Sequence, residues 1–348
     1  MGLVAGVIGC GKIAKFHADG LAAAGADVRW VCDPAPEATA AWRERFGARV
    51  ASDPSDILAD PEVRCVHLLT PSAFRRDAAL AVLDAGKALV CEKTLDVSAE
   101  NSLAITRRAR EKKSILYTAY MKRYLPVVRR AKELLTRLGD IVSMHIRARQ
   151  YWGIIPWREI PADHPYRGDP PSAAKSGGGV LPMAGSHIID LVHHFMGRPS
   201  RVYARIHTPR HTTLDLHTAA LMETPSGPVL FETLGHGLLR LGPDRDGWDE
   251  RLEITGLQGR LELFTPAWND PGRAGLLRHH DGGDGRVTEY RFAPESPFTA
   301  EIVEFHRDIA RGRQEAQGDD TGYVVDEVIE HLRRSAATGQ AIDVAYRL

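Results

Sequence analysis

Gly9-Cys10-Gly11-Lys12-Ile13-Ala14 spaces its small residues as G-x-G-x-x-A, between an apolar run and a helical period. The chemistry this serves is pyrophosphate binding. Gly9 permits a tight turn, Gly11 lets the backbone approach a phosphate, and Ala14 lets helix and strand pack closely. Free N–H groups at the helix N-terminus then face negative charge. Asp33 follows Ala14 by 19 positions, at the end of the next apolar run. A carboxylate there accepts from ribose hydroxyls and repels a 2′-phosphate, so NAD is expected and NADP disfavoured. Lys12 and Ile13 lie in the turn itself, and Lys12 reads equally as a solvated helix residue. Thr70-Pro71 and Glu92-Lys93 end two later apolar runs. Such strand ends line the ligand crevice of a parallel sheet, which places both pairs beside the nicotinamide half. Thr70-Pro71 reads alternatively as an ordinary proline turn. A lysine at position 93 can hydrogen-bond a substrate oxygen and stabilise charge developing on it, or else be a surface residue.

The elements that must position these residues alternate in period. Strands are expected over 3–9, 28–32, 63–69, 88–91 and 115–119, separated by helices over 12–24, 36–46, 73–85 and 98–111. Strands that are apolar throughout and alternate with helices predict a parallel sheet covered on both faces. A helix over 127–138 and an extended segment over 140–149 follow, then a Pro- and aromatic-rich stretch over 151–175 with the length of a binding loop. A helix over 186–196 precedes strands over 201–207, 214–223, 228–234, 251–255, 260–264 and 287–292. Consecutive strands of this kind predict a mostly antiparallel sheet. Residues 270–285 read as a Gly/Asp-rich tip, and helices over 299–311 and 324–338 close the chain. The expected fold is therefore α/β: a Rossmann domain over 1–121 and a second α/β domain over 122–348 with a large, open, mostly antiparallel sheet.

Composition narrows the function classes. The 348 residues carry 45 Lys+Arg and 45 Asp+Glu, a formal net charge of zero. That balance argues against a nucleic-acid or membrane-surface binder, and no apolar run reaches the ~18 residues of a spanning helix. Nine lysines stand against 36 arginines. Arg replaces Lys readily as a surface charge but not where a proton must be lost, so each remaining Lys carries more weight. Cys10, Cys32, Cys65 and Cys91 form no CxxC pair. They read as reduced, buried thiols of a cytoplasmic protein, not as a disulfide framework or a zinc site.

The chain resembles the glucose–fructose oxidoreductase/inositol dehydrogenase (Gfo/Idh/MocA) family over nearly its whole length. The matching segments are residues 7–14, Ala85-Gly86-Lys87 leading into Glu92-Lys93, Tyr120-Met121-Lys122-Arg123-Tyr124, Gly177-Gly178-Gly179 before His187, and Trp248-Asp249-Glu250-Arg251. The resemblance implies a hydride transfer between NAD(P) and a hydroxyl-bearing carbon of a sugar, polyol or related cyclic molecule. It implies Lys93 and His187 as catalytic residues, His187 as acid/base. It also implies Arg123 and Tyr124 as substrate candidates, with Trp157 added from the aromatic stretch. Two departures stand out. The family's Glu-Lys-Pro is Glu92-Lys93-Thr94, and the Asp usual four residues before the His is Met183. Three readings of Met183 stay open: a substrate lacking the hydroxyl that Asp would hold, another carboxylate such as Asp190 or Asp163 in its place, or an altered redox step. Accordingly, two alternatives stand beside the dehydrogenase: a family member with tightly held NAD and no net redox change, and a catalytically altered NAD-binding protein.

His187, Asp190, His193 and His194 also invite a metal reading, since spacings of three and seven put His187, Asp190 and His194 near one helix face, but a metal is not expected. An open second sheet would need covering, so a homodimer or homotetramer is expected by analogy with the family.

Overall fold

A computed structural model describes residues 2–153, 177–210, 212–270 and 272–348. The chain divides into two compact units. One comprises residues 1–121, 297–326 and 347–348, the other 122–296 and 327–346. Residues 297–326 pack with the first unit, so neither unit is one unbroken stretch of sequence.

The first unit runs β1 (Val4–Ile8), α1 (Ala14–Ala23), β2 (Asp27–Cys32), α2 (Pro36–Phe46), β3 (Arg49–Val50), α3 (Pro54–Ala59), β4 (Cys65–Leu68), α4 (Arg76–Asp84), β5 (Ala88–Glu92), α5 (Ala99–Lys112) and β6 (Leu116–Ala119). The strands pair in parallel in the order β3-β2-β1-β4-β5-β6. Val66, Leu68, Leu89, Cys91 and Leu116 are buried in one apolar cluster with Val82, Leu83 and Ile105 of the covering helices. β4, β5 and β6 are buried at every position, the double-sided burial that unbroken apolar runs require. Local signals set the helix ends: α2 opens on Pro36 and closes on Gly47 at φ +66°, with Arg43 and Arg45 in its last turn.

In the second unit, α6 (Pro126–Leu134) and a 3₁₀ turn lead into β7 (Ile141–Tyr151). α7 (Ser186–Met196) follows, then β8 (Arg201–His207), β9 (His217–Thr224), β10 (Gly227–His236), β11 (Trp248–Gly256), β12 (Gly259–Phe264), β13 (Leu276–Asp281) and β14 (Val287–Arg291). After α8 (Pro297–Arg311), which belongs to the first unit, come α9 (Thr321–Thr338) and β15 (Ile342–Asp343). Among the described residues the second sheet is nine-stranded, in the order β14-β13-β12-β11-β7-β10-β9-β8-β15. All its pairings are antiparallel except β10 with β7. Met144, Ile146, Val229, Phe231, Leu252, Ile254, Leu261 and Leu263 are its buried positions.

α8 explains why residues 297–326 join the first unit. Phe298 stacks on Phe16 of α1 at 4.6 Å, and Gly20 lies so close that an added Cβ would sit 2.4 Å from Ile302 Cδ1. Tyr117 donates to the buried Asp308 carboxylate at 2.6 Å. The expected tip over 270–285 is corrected: Leu276–Asp281 within it is strand, paired with β12 and β14. β3 and α3, of two and six residues, were not expected at all.

Candidate active site

Gly9 has φ +95°, and a Cβ on it would lie 2.9 Å from the Leu69 carbonyl carbon, so both the turn and the approach of the chain end after β4 demand glycine. At Gly11 an added Cβ would meet nothing within 4 Å. The turn is therefore closed on the sheet side and open where a phosphate would enter. α1 begins with no side-chain cap and no acidic residue in its first turn, leaving the positive end of its dipole uncompensated for an anion. Lys12 is exposed and Ile13 half-buried.

Asp33 follows β2 and is fixed by two backbone donors. Cys10 N–H donates to one carboxylate oxygen at 2.7 Å, and Ala35 N–H to the other at 2.8 Å. The glycine turn thus orients the very carboxylate that would receive the ribose. Burial, reinforced by Asp33 and Cys32, pushes the Cys10 thiol up to about 12, so Cys10 has no nucleophilic role. Thr70 Oγ1 is buried with no hydrogen-bond partner, and Pro71 beside it is exposed. A ligand would satisfy that orphaned hydroxyl. The open Gly11, the uncapped α1, the held Asp33 and the orphaned Thr70 fit a dinucleotide.

Lys93, half-buried, follows directly on β5. Its backbone N–H donates to the Glu92 carboxylate at 2.9 Å, and its peptide bond to Thr94 is cis. Glu92 itself is buried against His17 Nε2 at 3.2 Å. Burial pushes its carboxyl up, but the His17 hydrogen bond and the charges of Arg75 and Lys93 prevail and hold it below the usual range. The structure thus turns Glu92 inward toward α1. Arg75 is buried and donates to the carbonyl oxygens of Thr70 (2.7 Å), Glu92 and Thr94. One guanidinium ties down the backbone on both sides of Lys93, a positioning role no spacing pattern announces.

In the second unit, a π-helical turn over Leu181–Gly185 leads into α7, which carries His187 at its second position. The triple glycine is steric. A Cβ on Gly179 would fall 2.1 Å from the Asp215 carbonyl oxygen, and Gly178 has φ +137°. The buried Asp215 carboxylate accepts from Gly179 N–H (2.9 Å) and Leu181 N–H (2.5 Å), fixing the approach to α7. Met183 is exposed and His187 half-buried, one helical turn apart.

Arg123 and Asp190 bind each other. Arg123 Nε lies 2.9 Å from both carboxylate oxygens and Nη2 2.7 Å from one, with Asp190 wholly buried. Burial raises the Asp190 carboxyl, opposed by the guanidinium. That commitment removes Asp190 as a free carboxylate in place of the missing Asp at 183. It also leaves His187, Asp190 and His194 ungathered as ligands: the one set of such atoms brought together among the described residues lies elsewhere, at Cys65, His67 and His306. Tyr124 is buried. Lys122 forms a buried ion pair with Glu250 and lies over the Trp248 ring at 5.2 Å, while Glu250 also accepts from Thr265 at 2.6 Å. Trp157 and Asp163 lie outside the described residues.

Residues 3–120 match the profile of an oxidoreductase family with an NAD-binding Rossmann fold, and residues 128–262 match that family's C-terminal domain. The chain belongs to the Gfo/Idh/MocA family. It is a pyridine-nucleotide-dependent oxidoreductase. Among relatives, it is 28% identical to an inositol 2-dehydrogenase of Saccharopolyspora erythraea, over 97% of this chain and 94% of that one. It is also 28% identical to an NADP(+) D-xylose 1-dehydrogenase of Haloferax volcanii, over 83% of this chain and 82% of that one. A levoglucosan dehydrogenase solved with NADH and levoglucosan superposes with TM-score 0.83 at 22% identity, covering 99% of this chain and all of that one. The two-sheet architecture is thus that of Gfo/Idh/MocA enzymes. No helix of the described residues is long and apolar enough to cross a membrane.

Proposed function

We propose that this Gfo/Idh/MocA enzyme is an NAD-dependent dehydrogenase of a hydroxyl-bearing carbon in a sugar, polyol or cyclic glycosyl-type molecule. Support comes from relatives that act on inositol, xylose and levoglucosan by name. The observation that carries the coenzyme choice is Asp33, anchored by Cys10 N–H and Ala35 N–H at the end of β2. A fixed carboxylate favours two ribose hydroxyls and opposes a 2′-phosphate. Bound nicotinamide supplies the acceptor for hydride. Lys93 hydrogen-bonds the substrate oxygen and stabilises negative charge on it, held in place by Arg75. His187 takes the hydroxyl proton. With methionine at 183, the substrate is held without the family's carboxylate.

The test is a panel of cyclic polyols, aldoses and anhydrosugars assayed with NAD and with NADP. NADH should accumulate with at least one of them, and NADP should be the poorer coenzyme. Asp33→Ser should erase that preference, shifting the ratio of kcat/KM values by about 10-fold or more, the worth of a lost charge-assisted contact. An unchanged ratio would remove Asp33 from coenzyme choice. Substrate turnover without NADH release would point to the net non-redox alternative, which Met183 motivates.

We further propose that the enzyme is a cytoplasmic homodimer or homotetramer, with the outer face of the second sheet as the contact. Tyr203, Leu221 and Leu230 are 38%, 43% and 48% exposed there. They are interleaved with Arg147, Arg205, Arg251, Glu232 and Glu253. Such a face, apolar at its centre and carrying both signs of charge, suits a second copy of itself. Leu230→Glu should lower the mass in light scattering to that of a single chain; an unchanged oligomer would exclude this face.

A further inference from the structure

The first unit holds a buried cluster that neither the coenzyme nor the substrate chemistry uses. Cys65 and His67 sit two apart on β4, hence on one face of a central strand. His306 comes to them from α8, 241 positions after Cys65, with Nε2 at 4.0 Å from Cys65 Sγ. Sγ and one ring nitrogen of each histidine lie within 4.8 Å of one another. Cys65 and His67 have no exposed surface and His306 has 6%. Phe305 packs edge-on against His67 at 5.8 Å, so the surroundings are dry.

The hydrogen bonds around His67 show which of its nitrogens is available. Glu92, a carboxylate, can only accept. His17 Nε2 at 3.2 Å therefore donates to it. His17 Nδ1 shares a hydrogen bond with His67 Nδ1 at 3.1 Å. His67 Nε2, buried, has no hydrogen-bond partner. A carboxylate and a second imidazole behind that nitrogen are outer partners of the kind that orient a metal-ligating histidine.

We propose that Cys65, His67 and His306 form a buried three-ligand site for a thiophilic closed-shell cation, Zn²⁺ or Cu⁺. One sulfur and two imidazole nitrogens suit these ions and exclude the oxygen-seeking Mg²⁺ and Ca²⁺. Bond lengths of ~2.3 Å to sulfur and ~2.0 Å to nitrogen place tetrahedral ligand atoms about 3.5 Å apart. The observed separations, at most 4.8 Å, need to close by about 1.3 Å or less. On binding, the Cys65 thiol loses its proton to solvent and the thiolate takes up the cation. Cu⁺ leaves the dry site neutral. Zn²⁺ leaves one positive charge, with the Glu92 carboxylate behind His17 to offset it.

The chain expressed in medium supplemented with Zn²⁺ or, separately, with copper should retain about one ion per chain after dialysis against EDTA, because the site is buried from the chelator. The arm that loads identifies the ion. Cys65→Ala and His306→Gln should each lower bound metal at least tenfold with the circular dichroism spectrum intact. Less than about 0.1 ion per wild-type chain in both arms, or full loading of folded Cys65→Ala, overturns the site. Should the variants fail to fold, metal released from wild-type protein by a thiol reagent decides the matter. Modification mapped to Cys65 supports the proposal, and modification only of Cys10, Cys32 or Cys91 overturns it.

Discussion

Lys93→Ala should leave a folded chain that still binds the dinucleotide but turns substrate over about 10²–10³-fold more slowly, the usual loss on removing one preorganised donor to a developing oxyanion. The prediction rests on the way Lys93 is held. Its own N–H is fixed by Glu92, and Arg75 ties the carbonyl oxygens of Glu92 and Thr94 on either side. Such backbone restraint spends no binding energy on ordering at the moment of reaction. His187→Asn should cost about 10²–10⁴-fold and abolish the acidic limb of the pH–rate profile, because the proton acceptor is gone. The measurement is kcat and KM for each variant on the best substrate of the panel, with dinucleotide binding by fluorescence as the folding control. If Lys93→Ala kept wild-type kcat, the lysine would be structural. If His187→Asn kept the acidic limb, another group would be the base.

How far the sequence carried depended on the range of the interactions. The Rossmann unit was legible because its signals are local: the apolar runs of β1, β4 and β5 lie between helices, and Pro36 and Gly47 bracket α2. The glycine spacing at 9 and 11 and the carboxylate at 33 were also readable, since each needs only a strand end and a turn. β13 was not. Arg278, His279 and His280 interrupt Leu276–Asp281, and the segment is a strand because β12 and β14 flank it. Tertiary pairing overrode composition there. The same reason hid α8's membership of the first unit, which rests on Gly20 admitting Ile302 and Phe298 stacking on Phe16. Arg75 is a backbone clamp whose carbonyl partners carry no side-chain signature in a sequence. Cys65-x-His67 has no metal spacing by itself, and His306 stands 241 positions from Cys65.

Asp190→Ala should destabilise the folded chain by about 3–5 kcal/mol, the penalty for leaving one member of a buried ion pair without its counter-charge. The Arg123 side chain is 9% exposed and that of Asp190 not at all, so water does not replace the lost carboxylate as it would at a surface pair. The same geometry separates two roles that the sequence left together. A substrate-binding Asp190 would show its loss chiefly in KM, with unfolding free energy nearly unchanged. A carboxylate engaged twice by Arg123 Nε and once by Nη2 should show it in urea unfolding instead. The double variant Arg123→Met with Asp190→Leu sharpens the distinction. Removing both charges from a dry site removes both desolvation penalties, so it should recover most of the stability that the single variant loses. Recovery in urea with KM still near the single variant's value would assign the pair to holding α7, and through it His187, in place. No loss of stability in Asp190→Ala would mean that Arg123 does not depend on Asp190. The pair would then be available to a ligand, and the Met183 position would have its substitute carboxylate after all.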